Sequence, residues 1–227
     1  MSQMGPEELE RLLFGRWVDS FNVDRLSWLA AGLSSANYAL EHMEKAERMP
    51  SLDAIIDYCL DRSQEEGLVL EFGVFSGRTI SQIANKRPSS RVFGFDSFEG
   101  LPEDWVGSFT KGSFATGRLP DVPGNVDLVP GWFDRTLPAF CDDHRGMKIS
   151  FLHVDCDLYS STQTIFAHLN DMIVPGTIIL FDEYFNYPNW QKHEARAFAE
   201  FCRARDKRYE YIALVPHHQQ VAVRILK

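Results

Sequence analysis

Leu68-Val69-Leu70-Glu71-Phe72-Gly73-Val74-Phe75-Ser76-Gly77-Arg78-Thr79 is an apolar run that closes in a glycine-bearing turn and opens a helix. A run of this length without alternation suits a strand covered on both faces, as in a parallel sheet. Residues 79–85 then carry a helix-like pattern. Working outward, residues 91–96, 126–133, 149–155 and 177–182 read as further strands, with helices over 161–172 and 190–205. Strands alternating with helices predict a doubly wound α/β sheet. Residues 209–215 and 220–226 read as two more strands, and the short link Pro216-His217-His218 permits only an antiparallel pair. The expectation is a mostly parallel, seven-stranded sheet finished by a hairpin.

The first third is helical in pattern. Leu52, Ile55, Ile56, Cys59 and Leu60 mark one face of a helix opened by Pro50-Ser51, and residues 36–47 suggest an earlier one. Leu12, Leu13, Phe14, Trp17, Trp28 and Leu29 add apolar area before it. The chain therefore divides into an N-terminal helical extension, 1–66, serving as a lid or as the contact of a homodimer, and a ligand-binding domain, 67–227.

Composition narrows the class. With 44% hydrophobic and 24% charged residues over 227 positions, the chain is an ordinary globular one, so disordered and collagen-like classes are excluded. Asp and Glu exceed Lys and Arg by 32 to 23, and a net charge of −9 repels phosphate backbones, so nucleic acid is not an expected partner. No apolar run approaches the ~20 residues that span a bilayer, so neither is a membrane. Residues 1–10 are acidic, without a basic-then-apolar leader pattern. Cys59, Cys141, Cys156 and Cys202 have no C-x-x-C spacing and read as reduced thiols of a cytoplasmic protein.

Three constellations carry chemistry. In the first, Gly73 and Gly77 let backbone approach a ligand at a helix start, with Ser76 and Thr79 in the same turn. The turn is not G-x-G-x-x-G and lacks a phosphate-loop lysine, which argues against a pyrophosphate. Glu71 would repel a pyrophosphate but can accept hydrogen bonds from an ammonium group. In the second, Asp96 ends the next strand, where an acidic side chain takes both hydroxyls of a ribose or merely caps the turn. An adenosine-type ribose with a cationic amino-acid tail describes S-adenosylmethionine and not NAD. In the third, Asp155 and the pair Asp182-Glu183 stand at the carboxyl ends of neighbouring strands. Three converging carboxylates repel unless a hard cation such as Mg²⁺ sits between them; the competing reading is that they cap helices.

The strings around these residues resemble the macrocin O-methyltransferase family, a class I group that uses S-adenosylmethionine and acts largely on sugar hydroxyls of natural products. The resemblance rests on residues 69–79, on Gly94-Phe95-Asp96-Ser97-Phe98-Glu99-Gly100-Leu101-Pro102, on Gly131-Trp132-Phe133-Asp134-Arg135-Thr136-Leu137-Pro138 and on residues 153–162. It implies the class I methyltransferase sheet. It also implies that Glu71, Gly73 and Gly77 line the methionine side and Asp96 holds the ribose. Ser97 and Phe98 then flank the ribose and adenine, and Gly131 and Trp132 lie beside the adenine. Asp155, Asp182 and Glu183 match the divalent-metal positions, with Glu183 where the family usually has Asp or Asn. Phenol-methylating relatives keep a lysine three positions after the first metal aspartate; Leu158 stands there instead.

Methyl transfer from sulfonium to oxygen is an in-line displacement in which positioning does most of the work. Asp155 belongs to the donor site and the metal site alike. The catalytic candidates are Asp155, Asp157 and His193, with Asp157 ranked first as proton acceptor and His153 read as a core histidine. Trp105 and Phe109, in the long 98–125 segment, form either a lid or a satellite cluster. Tyr38, His42 and Met43 wall the acceptor pocket or serve a dimer. The expected activity is O-methylation of a small hydroxylated acceptor, a sugar or polyol, with Mg²⁺ assistance. The alternatives are a metal-independent methyltransferase and a non-catalytic nucleoside-binding protein, with a dehydrogenase last.

Overall fold

The computed structural model describes residues 22–227; Leu12, Leu13, Phe14 and Trp17 lie outside them. Helix α1 (Val23–His42) is capped by Asn22, whose side chain accepts from the Arg25 N–H. It begins well before the 36–47 helix expected. Its exposed Val23, Leu33 and Leu40 break the apolar spacing that would have betrayed it. A two-residue strand β1 (Glu47–Arg48) follows, then α2 (Leu52–Arg62), capped by Ser51 and burying Ile55, Ile56, Cys59 and Leu60 as expected.

The motif of the opening stretch becomes β2 (Leu68–Phe72), buried throughout, and α3 (Arg78–Lys86). Then come β3 (Val92–Asp96), β4 (Val126–Pro130), α4 (Phe133–Asp143), β5 (Ile149–Val154), α5 (Tyr159–Leu169) and β6 (Ile178–Phe181). A single 3₁₀ turn at Trp190–Lys192 leads to α6 (Glu194–Ala204), β7 (Tyr209–Leu214) and β8 (Val221–Ile225).

The sheet has eight strands in the order β1-β7-β8-β6-β5-β2-β3-β4. β8 lies antiparallel to both β6 and β7, and the other pairings are parallel. The expected architecture holds, with one strand more: β1 adds to the outer edge of β7, too short to leave a pattern. The strand expected over 126–133 stops at Pro130, because Gly131 turns at φ +133° and Phe133 already begins α4. That helix, with Pro138 inside it, was not expected. The helix expected over 190–205 breaks at His193 into the 3₁₀ turn and α6.

Apolar layers cover both faces of the sheet. Leu70, Phe72, Leu152, Val154 and Phe181 pack toward α4, α5 and α6, and Val69, Phe151, Ile178 and Leu180 toward α2 and α3. Helix α2 and strand β1 therefore belong to the same packed body as residues 67–227.

Candidate active site

Strand order reverses between β2 and β5, where chain connections run to opposite sides and open a crevice beyond the strand ends. A cavity of 910 Å³ occupies it. Gly73 ends β2 there with φ +97°, and a Cβ at this position would stand 1.6 Å from the Asp155 carbonyl oxygen. Only glycine admits both the left-handed turn and that approach. Gly73→Ala is accordingly expected to lower the melting temperature by more than about 5 °C, since backbone must shift. Gly124→Ala, where a Cβ meets open space, should stay within about 2 °C. Paired thermal melts check the difference.

Asp96, at the end of β3, lines the cavity. Its carboxylate accepts from the N–H groups of Val74 (2.9 Å), Phe75 (2.8 Å) and Phe98 (2.7 Å). Three of about four acceptor positions are thus engaged in shaping the two loops, which leaves one directed acceptor for a ligand. Ser97 and Trp132 also line the cavity, whereas Phe98 is buried behind it. Gly131 anchors its loop by donating its N–H to the Asp96 carbonyl (2.9 Å).

At the ends of β5 and β6, the carboxylate oxygens of Asp155, Asp157 and Glu183 lie within 4.8 Å of one another and face the same cavity. Burial is the first cause that raises all three pKa values. The neighbouring Asp182 charge is the second, and Asp157 is pushed up to about 7. Glu183 Oε2 is buried without a hydrogen-bond partner among the described residues. Three hard oxygen donors with mutual repulsion and an orphaned oxygen fit a divalent cation. Behind them the wholly buried Glu194 accepts from the Glu183 N–H (3.3 Å), and its own pKa is raised well above the usual range, first by burial.

A family profile described as a methyltransferase domain matches residues 70–184, half of the chain, from the end of β2 through the acidic pair after β6. The chain belongs to this methyltransferase family. A curated relative from Streptomyces olivaceus is 8-demethyl-8-(2,3-dimethoxy-alpha-L-rhamnosyl)-tetracenomycin-C 4'-O-methyltransferase. It is 26% identical over 159 residues, which are 57% of this chain and 58% of the relative. The chain thus spans little more than half the length of that curated relative. Among solved structures, the calicheamicin methyltransferase CalS11 superposes with a TM-score of 0.59 at 21% identity, over 98% of this chain and 94% of that one. The O-methyltransferase NovP gives 0.57 at 21% identity, over 77% and 79%. At such identities the superpositions bear on the fold alone.

Within this methyltransferase domain, several expected site residues sit elsewhere than sequence reasoning put them. Glu71 does not line the cavity. It is wholly buried, accepting from Thr79 Oγ1 (3.1 Å) and lying 2.9 Å from His153 Nδ1. It lies inside β2, in register with His153 on β5, and not at the strand end, so the structure places Glu71 and Thr79 behind the cavity lining and not in direct reach of an ammonium group. Asp182 stands in a second group. Its Oδ1 accepts from Gln220 Nε2 (3.0 Å) and lies 3.8 Å from His153 Nε2, and Asp182, His153 and Asp155 offer ligand atoms within 4.8 Å of one another, while Asp157 joins Asp155 and Glu183 at the cavity.

His153 is thereby enclosed by two carboxylates. Burial disfavours its charge, but Asp182 and Glu71 outweigh burial and raise its pKa well above the usual histidine range. Asp182 is held below its ordinary value by the same ring despite its burial.

His193 packs against Tyr187 and Trp105 and does not line the cavity; burial, then Lys192, lowers its pKa. It is withdrawn as proton acceptor. Ser76 is exposed and not among the lining residues, and Gly77 is buried under Pro120 and Val122. Trp105 and Phe109 pack with ring centroids 5.5 Å apart and tilted by 33°, and both line the cavity, so the long segment contributes to its wall. Sequence reasoning missed Trp28 and His218 as lining residues and Glu194 as a buried acid. A lone tryptophan, a turn-tip histidine and a helix-start glutamate carry no spacing signal.

Proposed function

We propose that this protein transfers a methyl group from S-adenosylmethionine to a hydroxyl oxygen of a small acceptor, a sugar or a polyol-bearing natural product. The observation that carries the reading is the convergence of Asp155, Asp157 and Glu183 on one cavity that also meets Gly73, Asp96 and Trp132. The glycine turn and the remaining acceptor of Asp96 suit the donor's methionine and ribose parts, and the indole of Trp132 suits a flat base. The rhamnosyl 4'-hydroxyl named for the curated relative supports a sugar as acceptor. A cytoplasmic setting belongs to the same reading, since all four cysteines are free.

Asp155, Asp157 and Glu183 supply the oxygens that would hold a divalent cation, which when bound polarises an acceptor hydroxyl and lowers its pKa. The remaining work falls to the chain itself. Asp157 faces the same cavity and, where Asp155 and Glu183 hold the cation, is the carboxylate positioned to take the hydroxyl proton. Glu194 fixes the Glu183 backbone from behind. Trp28 from α1 and Trp105 and Phe109 from the long loop wall the acceptor side and exclude water, which supports the lid role of the N-terminal extension.

Incubation with S-adenosylmethionine and a panel of glycosides, read by mass spectrometry, tests the proposal. Gain of one methyl group on a sugar hydroxyl is expected, with loss of turnover in EDTA and recovery with Mg²⁺. Calorimetry should show S-adenosylhomocysteine binding without added metal. Absence of that binding would sink the reading.

A further inference from the structure

The turn between β7 and β8 is braced from outside the hairpin. Asn186 Nδ2 donates to the His218 carbonyl (2.6 Å), and the Tyr184 N–H donates to the Gln219 carbonyl (3.0 Å). Both partners lie within three residues after Glu183, so the turn is fastened to the segment that carries the acidic cluster. His218 and Gln219 line the cavity.

The orientation of the His218 ring follows from what lies behind it. Gln220 is buried, and its Nε2 stands 3.0 Å from Asp182 Oδ1 and 2.8 Å from His218 Nδ1. An ionised carboxylate only accepts, so the amide must turn its nitrogen, not its oxygen, toward Asp182. The same nitrogen then offers its second hydrogen to His218. Nδ1 must accept it, which leaves the ring proton on Nε2. Nε2 has no hydrogen-bond partner among the described residues. The cavity is lined by the acceptor oxygens of Asp155, Asp157 and Glu183; His218, exposed at the turn and lining the same cavity, adds an imidazole N–H donor.

We propose that His218 is an acceptor-binding residue that donates its Nε2–H to an oxygen of the substrate, and that Gln220 is the positioning residue that fixes this tautomer. A polyol hydroxyl can donate to a carboxylate while accepting from His218, so the pair selects acceptors with a second oxygen beside the methylated one. His218 is on this account a donor, not the base. The inference rests on the hydroxylated acceptor proposed above, but its first test needs neither donor nor acceptor.

Nitrogen-15 NMR of the imidazole rings, with His218 assigned by loss of its signals in His218→Ala, is expected to show a protonated Nε2 and an unprotonated Nδ1. A ring protonated at Nδ1 overturns the proposal, whatever the protein methylates. With an acceptor in hand, His218→Ala is expected to raise its KM about tenfold, the loss of one hydrogen bond. Both kcat and S-adenosylhomocysteine affinity should stay within about threefold. His218→Gln, which restores an N–H donor, should recover most of the KM. Equal losses in the two variants, or a fall in kcat with a displaced pH profile, would instead make the ring structural or a base. If no hydroxylated compound is methylated while the tautomer is as stated, it is the functional reading that fails.

Discussion

Asp155→Asn is expected to lower kcat by about 10²–10³-fold while S-adenosylhomocysteine affinity changes less than about threefold, because it removes charge at the reacting hydroxyl and little else. Asn keeps the shape of the side chain, and the Asp155 N–H still donates to the Phe72 carbonyl (2.8 Å). Stability should move the other way. The Asp155 pKa is raised first by burial and then by Asp182, so the folded state holds that proton more tightly than the unfolded chain does. A carboxyl of this kind costs nothing below its unfolded pKa near 4, and its penalty grows as pH climbs toward the raised folded value. In metal-free protein the variant should therefore melt higher than wild type at pH 8 and equal to it near pH 4. Added Mg²⁺ should raise the wild-type melting temperature at pH 8, by stabilising the state that binds it, and leave the variant nearly unmoved. Melts at two pH values, with and without Mg²⁺, separate this from a general loss of structure. A variant that turns over normally would remove the acidic cluster from the mechanism.

The cluster was legible because acidic residues at strand ends are conspicuous; which acids face the cavity was not. Asp182 and Glu183 are adjacent, and their division between two neighbours depends on Gln220 approaching from the turn before β8, a partner 38 residues away. Asp157 joins Asp155 although the chain does not stay extended between them: Asp157 sits at φ +65°, and the turn rather than strand geometry brings the side chains together. Glu71 shows the same limit. Its place in a strand-to-turn motif suggested a ligand contact. Pairing of β2 with β5 sets it directly beside His153, and no reading of one strand contains that register. The parallel sheet, the terminal hairpin and the glycine at the β2 end were legible because each follows from local pattern or backbone freedom. The two-residue β1 and the proline-bearing α4 have no such pattern: tertiary pairing decides the first, and no side-chain cap marks the start of the second.

His153→Leu is expected to be the most destabilising single change in the site. Glu71 and His153 are register partners on β2 and β5, and Asp182 follows β6 on the same face, so one buried imidazolium serves two carboxylates. Removing it leaves Glu71 without its cation in a layer where Thr79 is its other hydrogen-bonding partner. Breaking a buried pair from one side costs about 3–5 kcal/mol, or roughly 10 °C in melting temperature for a chain of this size. The sign with pH is fixed by the raised His153 value: its stabilisation is fully present below the unfolded pKa near 6.5 and fades as pH rises through the folded one. The His153 part of that deficit should thus be largest near pH 6 and shrink on the alkaline side, while Glu71, whose pKa is raised first by burial, adds in the variant a cost that grows with pH. Glu71→Gln should cost less, because an amide still accepts and carries no charge. Combining Glu71→Gln with His153→Leu should cost less than the sum, since the second change no longer strands a carboxylate. Strict additivity would mean that Glu71 and His153 do not act as a pair. The layer beneath the crevice would then be ordinary core, with no bearing on how Asp182 and Gln220 are held.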